Sequence, residues 1–255
     1  MATLHRCQHS ILKRNMANAG SKPQGYVVPC VENSQNGSKQ RLQVDQGAKG
    51  MGGFYAFDDV VPVVAQSAFV HPDAVVIGDV IIADGCYIGP AAVLRGDFGR
   101  IVIGEGANIQ ETCVLHSFPG RDVVVERFGH VGHGAVLHGC HLEENVLIGM
   151  NSVIMDEVRI GQSCIVGALS FVKAKSKFEP KQMIAGSPAR VLRPLTESEI
   201  DWKTRGTGVY QELARRAADE VVAVDPLRDV EPDRRRVRVP DFDPLVLDRL
   251  RTKYP

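Results

Sequence analysis

The sequence predicts an all-β fold, a parallel β-helix of short strands, followed by one α-helix near the C-terminus. Three observations predict it. An aliphatic residue returns at every sixth position between Val64 and Val172: Val64, Val70, Val76, Ile82, Ile88 and Leu94, then Ile103, Ile109 and Leu115, then Val125, Val131 and Leu137, then Leu142, Ile148, Ile154, Ile160, Val166 and Val172. Small residues stand four places after many of these, at Ala68, Ala74, Cys86, Ala92, Cys113 and Cys164. The register also survives two interruptions, at 96–101 (GDFGRI) and 117–124 (SFPGRDVV). A period of six fits neither an α-helix nor a half-buried strand. It fits hexapeptide units, each a short strand and a corner, with three units closing a triangular coil. An ordinary sandwich of Val-rich strands would not keep that register.

The units group as 64/70/76, 82/88/94, 103/109/115, 125/131/137, 142/148/154 and 160/166/172, which makes about six coils. Each coil climbs one strand spacing, roughly 4.8 Å. The aliphatic residue points into the triangle, where stacking of coils supplies a core that no single coil could bury. The small residue fits because the prism interior is narrow.

In chain order, residues 1–50 are rich in Gly, Ser, Asn, Gln and Lys, carry seven basic residues against two acidic, and show no apolar period. They read as disordered. Their basic, acid-free first turns also fit an organellar transit peptide, and Met51 also fits as the true start. Residues 51–193 form the β-helix, with the register fading after Val172 and Met183–Arg193 leaving the prism. Thr196-Glu-Ser-Glu199 is a capping box, so a helix is expected over 194–224. Tyr210, Leu213, Ala214, Ala217 and Val221 form its apolar stripe, Gly206 and Gly208 bend or break it, and Pro226 stops it. Residues 225–255 are expected to be an irregular tail, with a last helical turn near Val246–Leu250.

The totals exclude some functions. Among 255 residues, Lys plus Arg and Asp plus Glu both number 30, which argues against nucleic acid and anionic membrane surfaces as partners. No apolar run approaches the roughly 20 residues of a membrane span. Six cysteines without a CxxC pair fit reduced, buried thiols in a cytoplasmic protein.

Five of the eight histidines fall between 116 and 141. Repeat position sorts them. His116 follows Leu115 and His138 follows Leu137, so the two share one outward column, one rung apart. Arg95 follows Leu94 in the same column, with Asp97 near the corner. His133 stands two after Val131, on the preceding face. Two imidazoles one rung apart can share a metal ion. His133 lies round a corner and reaches such an ion only from a neighbouring prism. A homotrimer with threefold symmetry would therefore carry sites between subunits, each with three His and an open position, the pattern of a catalytic zinc. Zinc there would activate water near neutral pH; iron or cobalt would fit the same ligands. His130 and His141 have no such alignment and read as surface or supporting residues.

The runs RGDFGRIVIG-EGANIQETCVLH (Arg95–His116), GHVGHGAVLHGC (Gly129–Cys140) and GMNSVIM (Gly149–Met155) resemble the γ-class carbonic anhydrase-like hexapeptide proteins. ESEIDWKTRGTGVYQELARR (Glu197–Arg216) with DPLRDVEP (Asp225–Pro232) resembles the branch of the phenylacetate-degradation protein PaaY and the carnitine-operon protein CaiE. The resemblance implies a left-handed β-helix assembled as a homotrimer, with metal ligands His116, His133 and His138. It implies that Arg95 and Asp97 pair across the subunit interface, that Gln110 orients the metal-bound water or substrate, that the acidic neighbour is Glu111, and that an active-site Tyr is Tyr210. On the residues alone, Arg95–Asp97 is equally well structural, and Tyr210 sits on the apolar stripe as a core residue would.

The function the resemblance implies is a zinc-dependent, PaaY-type hydrolase of CoA thioesters in phenylacetate catabolism. The alternatives are hydration of CO2 to bicarbonate at the same site, a metal-free hexapeptide acyltransferase, and an accessory protein. The archetypal anhydrase loop carries a proton-shuttling glutamate, where this loop offers only Asp122. CoA phosphates would have Arg121, Lys173 and Lys175 as candidate partners.

Overall fold

A computed structural model of the chain describes residues 53–238, 240 and 242. The expectations for residues 1–50 and for a helical turn near Val246–Leu250 lie outside the described residues.

Three columns of aliphatic side chains fill a parallel solenoid. Parallel pairing joins Val64 to Ile82, Ile82 to Ile103, and Ile103 to Val125 on the first face. Leu142, Ile160 and Phe178 continue that column. The second face runs Val70, Ile88, Ile109, Val131, Ile148, Val166 and Ile184. The third runs Val76, Leu94, Leu115, Leu137, Ile154 and Val172. From Val76 onward these residues are buried in one core, apart from the partly buried Phe178. The grouping read from the period is the grouping observed.

The solenoid is longer than six coils. Gly53–Tyr55 adds a strand ahead of the third face by pairing with Val75 to Ile77. At the other end Phe178 and Ile184 carry two columns into a seventh turn. The expectation that Met183–Arg193 leaves the prism is corrected. Met183 pairs in parallel with Ile165, and the chain only then turns back, with Ala189–Pro194 lying antiparallel on Gln182–Gly186. That return strand covers an edge that would otherwise offer unpaired main-chain groups.

Most corners are made the same way. A residue three places after a column position sits at φ near +60°: Ala91, Thr112, Phe128, Asn145, Asn151, Glu157, Ser163, Leu169, Lys175 and Lys181. This left-handed conformation is costly for residues with a Cβ, and the two parallel neighbours of each strand hold it in place. The two interruptions fall at one corner. The first stays in strand conformation within Val93–Ile103. The second stacks upon it, Gly120 N–H donating to Phe98 O at 3.3 Å and Arg100 N–H to the Asp122 carboxylate at 3.0 Å. Gly99 is required there, because a Cβ would strike Arg121 O.

The helix α1, Glu197–Glu220, begins on Thr196 with both capping-box hydrogen bonds made. Glu199 also receives Arg193 at 2.7 Å, and these side-chain hydrogen bonds hold its carboxyl down to about 2. The helix runs unbroken through Gly206 and Gly208 and ends at Glu220, before Pro226 is reached, so both expectations about its interruption and its stop are corrected. Packing against the second face outweighs the low helix propensity of glycine. Gly206 has a further use, since a Cβ there would lie 3.2 Å from the Phe242 ring. Leu213 is 38% exposed and Val221 is 51% exposed, so the stripe differs from the expected one. The buried stripe is Glu199, Lys203, Thr207, Ala214 and Ala217. Its apolar end packs with Tyr210 onto Phe69 and Tyr87. Its polar end contains Lys203, 1% exposed, whose ammonium donates to Phe128 O at 2.6 Å and Asn145 Oδ1 at 2.7 Å. After Val221 the described tail is irregular, as expected. Among the described residues no helix is long and apolar enough to cross a membrane.

Candidate metal centre

His116 and His138 are directly paired on adjacent parallel strands, their ring centroids 5.3 Å apart. Each is backed by a carboxylate. His116 Nε2 lies 3.0 Å from Asp97 Oδ1, and His138 Nδ1 lies 2.8 Å from Asp156 Oδ1. Arg95 donates to the other Asp97 oxygen at 2.9 Å, so Arg95 and Asp97 pair within one chain. The link runs Arg95, Asp97, His116 and gives the arginine a positioning part. Phe98 and Phe118, one from each stacked interruption, lean on His116 and His138 at 5.3 and 4.8 Å. Ser117 is buried beside them with its hydroxyl unpartnered.

The second face carries the rest. Glu111 joins two groups: its Oε2 lies 2.5 Å from His133 Nδ1, and its Oε1 accepts from the Tyr87 hydroxyl at 3.0 Å. Gln110 Oε1 accepts from the His133 main-chain N–H at 3.2 Å. Gln110 Nε2 contacts Asn108 Oδ1 at 3.0 Å and His130 Nε2 at 2.7 Å. His130 is therefore no surface residue. It lies beneath α1, and burial, followed by the charges of Lys203 and His133, pushes it down to about 3. His141 is a partly exposed histidine paired with Glu126 at 2.6 Å. Tyr210 meets Tyr87 and His130 edge-on at 5.6 and 5.1 Å, and burial pushes its hydroxyl up to about 12. A cavity of about 360 Å³ opens between this face and α1, bounded by Gln110, His130, His133, Trp202 and Tyr210.

The structure thus brings His116 and His138 together with Arg95 and Asp97, and Gln110 together with Glu111 and His133. It does not bring His133 to the pair within one chain. Among the described residues no three His, Cys, Asp or Glu converge on one point. The donor set nonetheless suits a divalent ion: three imidazoles, each with one ring nitrogen held by a carboxylate, is how metal-ligating histidines are oriented. Sequence reasoning missed Asp156 and Lys203, and left His130 open as a surface or supporting residue. Asp156 could have been found, standing two after Ile154 in the column that holds His138.

Of the other candidates, Asp122 accepts from the Arg100 main chain, and the exposed Arg121 pairs with Glu157 at 3.1 Å. Burial pushes Cys86 and Cys140 up to about 12 and Cys113 and Cys164 up to about 11, which makes them poor nucleophiles.

Comparison with known proteins agrees with this architecture. The profile of the bacterial transferase hexapeptide family (six repeats) matches residues 62–96 and 139–174. Those stretches flank the segment that holds the stacked interruptions, His116, His133 and His138. The chain is 50% identical over 185 residues to carnitine operon protein CaiE of Salmonella agona (strain SL483), covering 72% of this chain and 93% of that one. It is 48% identical to CaiE of Escherichia coli (strain K12), covering 72% and 94%. Among solved structures it is similar to a hexapeptide transferase family protein from Anaplasma phagocytophilum, with 35% identity and a TM-score of 0.61 over 64% of this chain and 96% of that one. The BC4754 product of Bacillus cereus is 34% identical with a TM-score of 0.63, covering 64% and 94%.

Proposed function

The chain belongs to the hexapeptide-repeat family that includes carnitine operon protein CaiE, and from that premise we propose that it is a metal-dependent hydrolase of CoA thioesters, built as a homotrimer. One observation carries the reading: His116, His138 and His133 are each held by a carboxylate, Asp97, Asp156 and Glu111 in turn. In this reading His116 and His138 of one subunit and the equivalent of His133 from its neighbour hold zinc, iron or cobalt. Such an ion would supply an activated water near neutral pH and would polarise a carbonyl.

The chain's own residues do the rest. Asp97, Asp156 and Glu111 fix the orientation of the three imidazoles. Arg95 holds Asp97 aimed at His116. Gln110, with its oxygen facing the His133 side, orients the attacking water. The cavity beneath α1 adjoins His133 and Gln110, and its Trp202, Tyr210 and Phe242 rings suit an apolar or aromatic acyl group. The relatives are named for a carnitine operon, whereas the sequence resemblance also reached phenylacetate breakdown. Both acyl classes belong in the test.

The experiment is metal analysis of the purified protein, with hydrolysis of arylacetyl-CoA and of CoA esters of carnitine-derived acids, and CO2 hydration, before and after chelation. Hydrolysis lost on chelation and regained with zinc supports the reading. Hydrolysis untouched by complete metal removal overturns it. Mixing His133→Ala with His116→Ala chains should restore some activity if each site draws on two chains.

A second reading has its own observation. The His133–Glu111 contact of 2.5 Å is also how a histidine general base is held, and the matched family is one of transferases. Acyl transfer to an added amine or alcohol, insensitive to chelation, would favour it.

A further inference from the structure

The orientation of Gln110 can be worked out from a group that has no freedom. The main-chain N–H of His133 cannot flip, and it donates to Gln110 Oε1 at 3.2 Å. The amide nitrogen of Gln110 must then face the other way. It has two hydrogens to give and no lone pair with which to accept. One hydrogen goes to Asn108 Oδ1 at 3.0 Å, and the other points at His130 Nε2, 2.7 Å away. His130 Nε2 is therefore an acceptor and carries no proton. The ring proton sits on Nδ1, 3.4 Å from Thr207 Oγ1, which itself donates to Lys203 O within α1 at 3.3 Å. Asn108 Nδ2 is left buried without a partner, so Asn108 too has taken the orientation that suits Gln110.

We propose that His130 is a positioning residue for Gln110: held as the Nδ1–H tautomer by Thr207 of α1, it locks the Gln110 amide with its oxygen toward His133. The catalytic consequence rests on the metal-hydrolase reading, while the hydrogen-bond arrangement does not. A protonated Nε2 would set donor against donor, and Gln110 would turn its oxygen to His130 and release the His133 main chain. The helix thereby reaches the candidate centre through Thr207, His130 and Gln110 without touching it.

Two measurements on the full chain test this. Imidazole 15N shifts, assigned by loss of signal in His130→Gln, should show His130 at neutral pH with Nδ1 protonated and Nε2 bare. A protonated Nε2 overturns the inference whatever the activity. For catalysis, His130→Leu removes the acceptor and should lower kcat about 10- to 100-fold, the range seen when a supporting residue of a metal site is lost, with KM and metal content little changed. His130→Gln places a carbonyl oxygen near the Nε2 position and should recover most of the wild-type kcat. An unchanged kcat in His130→Leu, loss of metal, or equal damage from both variants overturns the inference. If His130→Leu fails to fold, Thr207→Val takes its place and should lower kcat as the Nδ1–H tautomer is depleted. If the wild type shows no metal-dependent hydrolysis, the proposed function fails, and the 15N spectrum alone decides the positioning.

Discussion

Lys203 offers a prediction whose size follows from its surroundings. Its ammonium is 1% exposed, and burial pushes it down from 10.5 to about 7, against a smaller opposing pull from Glu144. The sign follows from proton counting. Above about pH 7 the folded chain releases this proton while the unfolded chain keeps it until near 10.5, so the unfolded state binds more protons and stability rises with pH. Between about pH 6.5 and about pH 9.5 the two titration curves differ by enough to give on the order of 3 kcal/mol. The short hydrogen bonds to Phe128 O and Asn145 Oδ1 favour the charged form, which makes that figure an upper value. The assay is built in, because Trp202 is the single tryptophan of the chain and adjoins Lys203. Its fluorescence during urea titration at several pH values reads the undocking of α1. Lys203→Met should lose the rise while keeping the contributions of all other groups. Parallel pH dependence in the variant and the wild type would refute the reasoning.

Three further outcomes are expected. Asp156→Asn, which weakens the hold on His138, should lower metal affinity about 10- to 100-fold by competition with a chelating dye. Glu199→Gln should flatten the acid limb of stability: the depressed Glu199 carboxyl contributes fully above 4.5 and loses that contribution as pH falls toward about 2, which circular dichroism on acid titration would follow. Gly208→Ala should stabilise by about 0.5–1 kcal/mol in the same urea titrations, since the site is helical and a Cβ there meets nothing within 4 Å.

Much of the solenoid could be read from residues alone. The aliphatic period fixed which strands pair, and pairing fixed that His138 lies on His116, because a parallel register carries any outward residue onto its counterpart one coil away. The seventh turn was harder to see. Phe178 replaces an aliphatic with an aromatic at the column position, and lysines crowd the outward positions around it. Lys203 was invisible for a different reason: a buried lysine and a solvated one look alike in sequence, and only Phe128 O and Asn145 Oδ1 distinguish them. The supporting role of His130 stayed open because its partners are not level with it: its register neighbour one coil away is Asn108, while Gln110 stands two positions further on and Thr207 comes from α1.

The two interruptions rest on each other through Gly120 and Phe98, and through Arg100 and Asp122. Outgrowths at that corner are consequently shared property of adjacent storeys. Shortening one strands the other, so changes in length there must come in matched pairs, whereas a whole storey can be added at the far end without either partner noticing. Diversity in what the protein handles is thus easiest to generate where the two aromatic tips already flank the paired imidazoles.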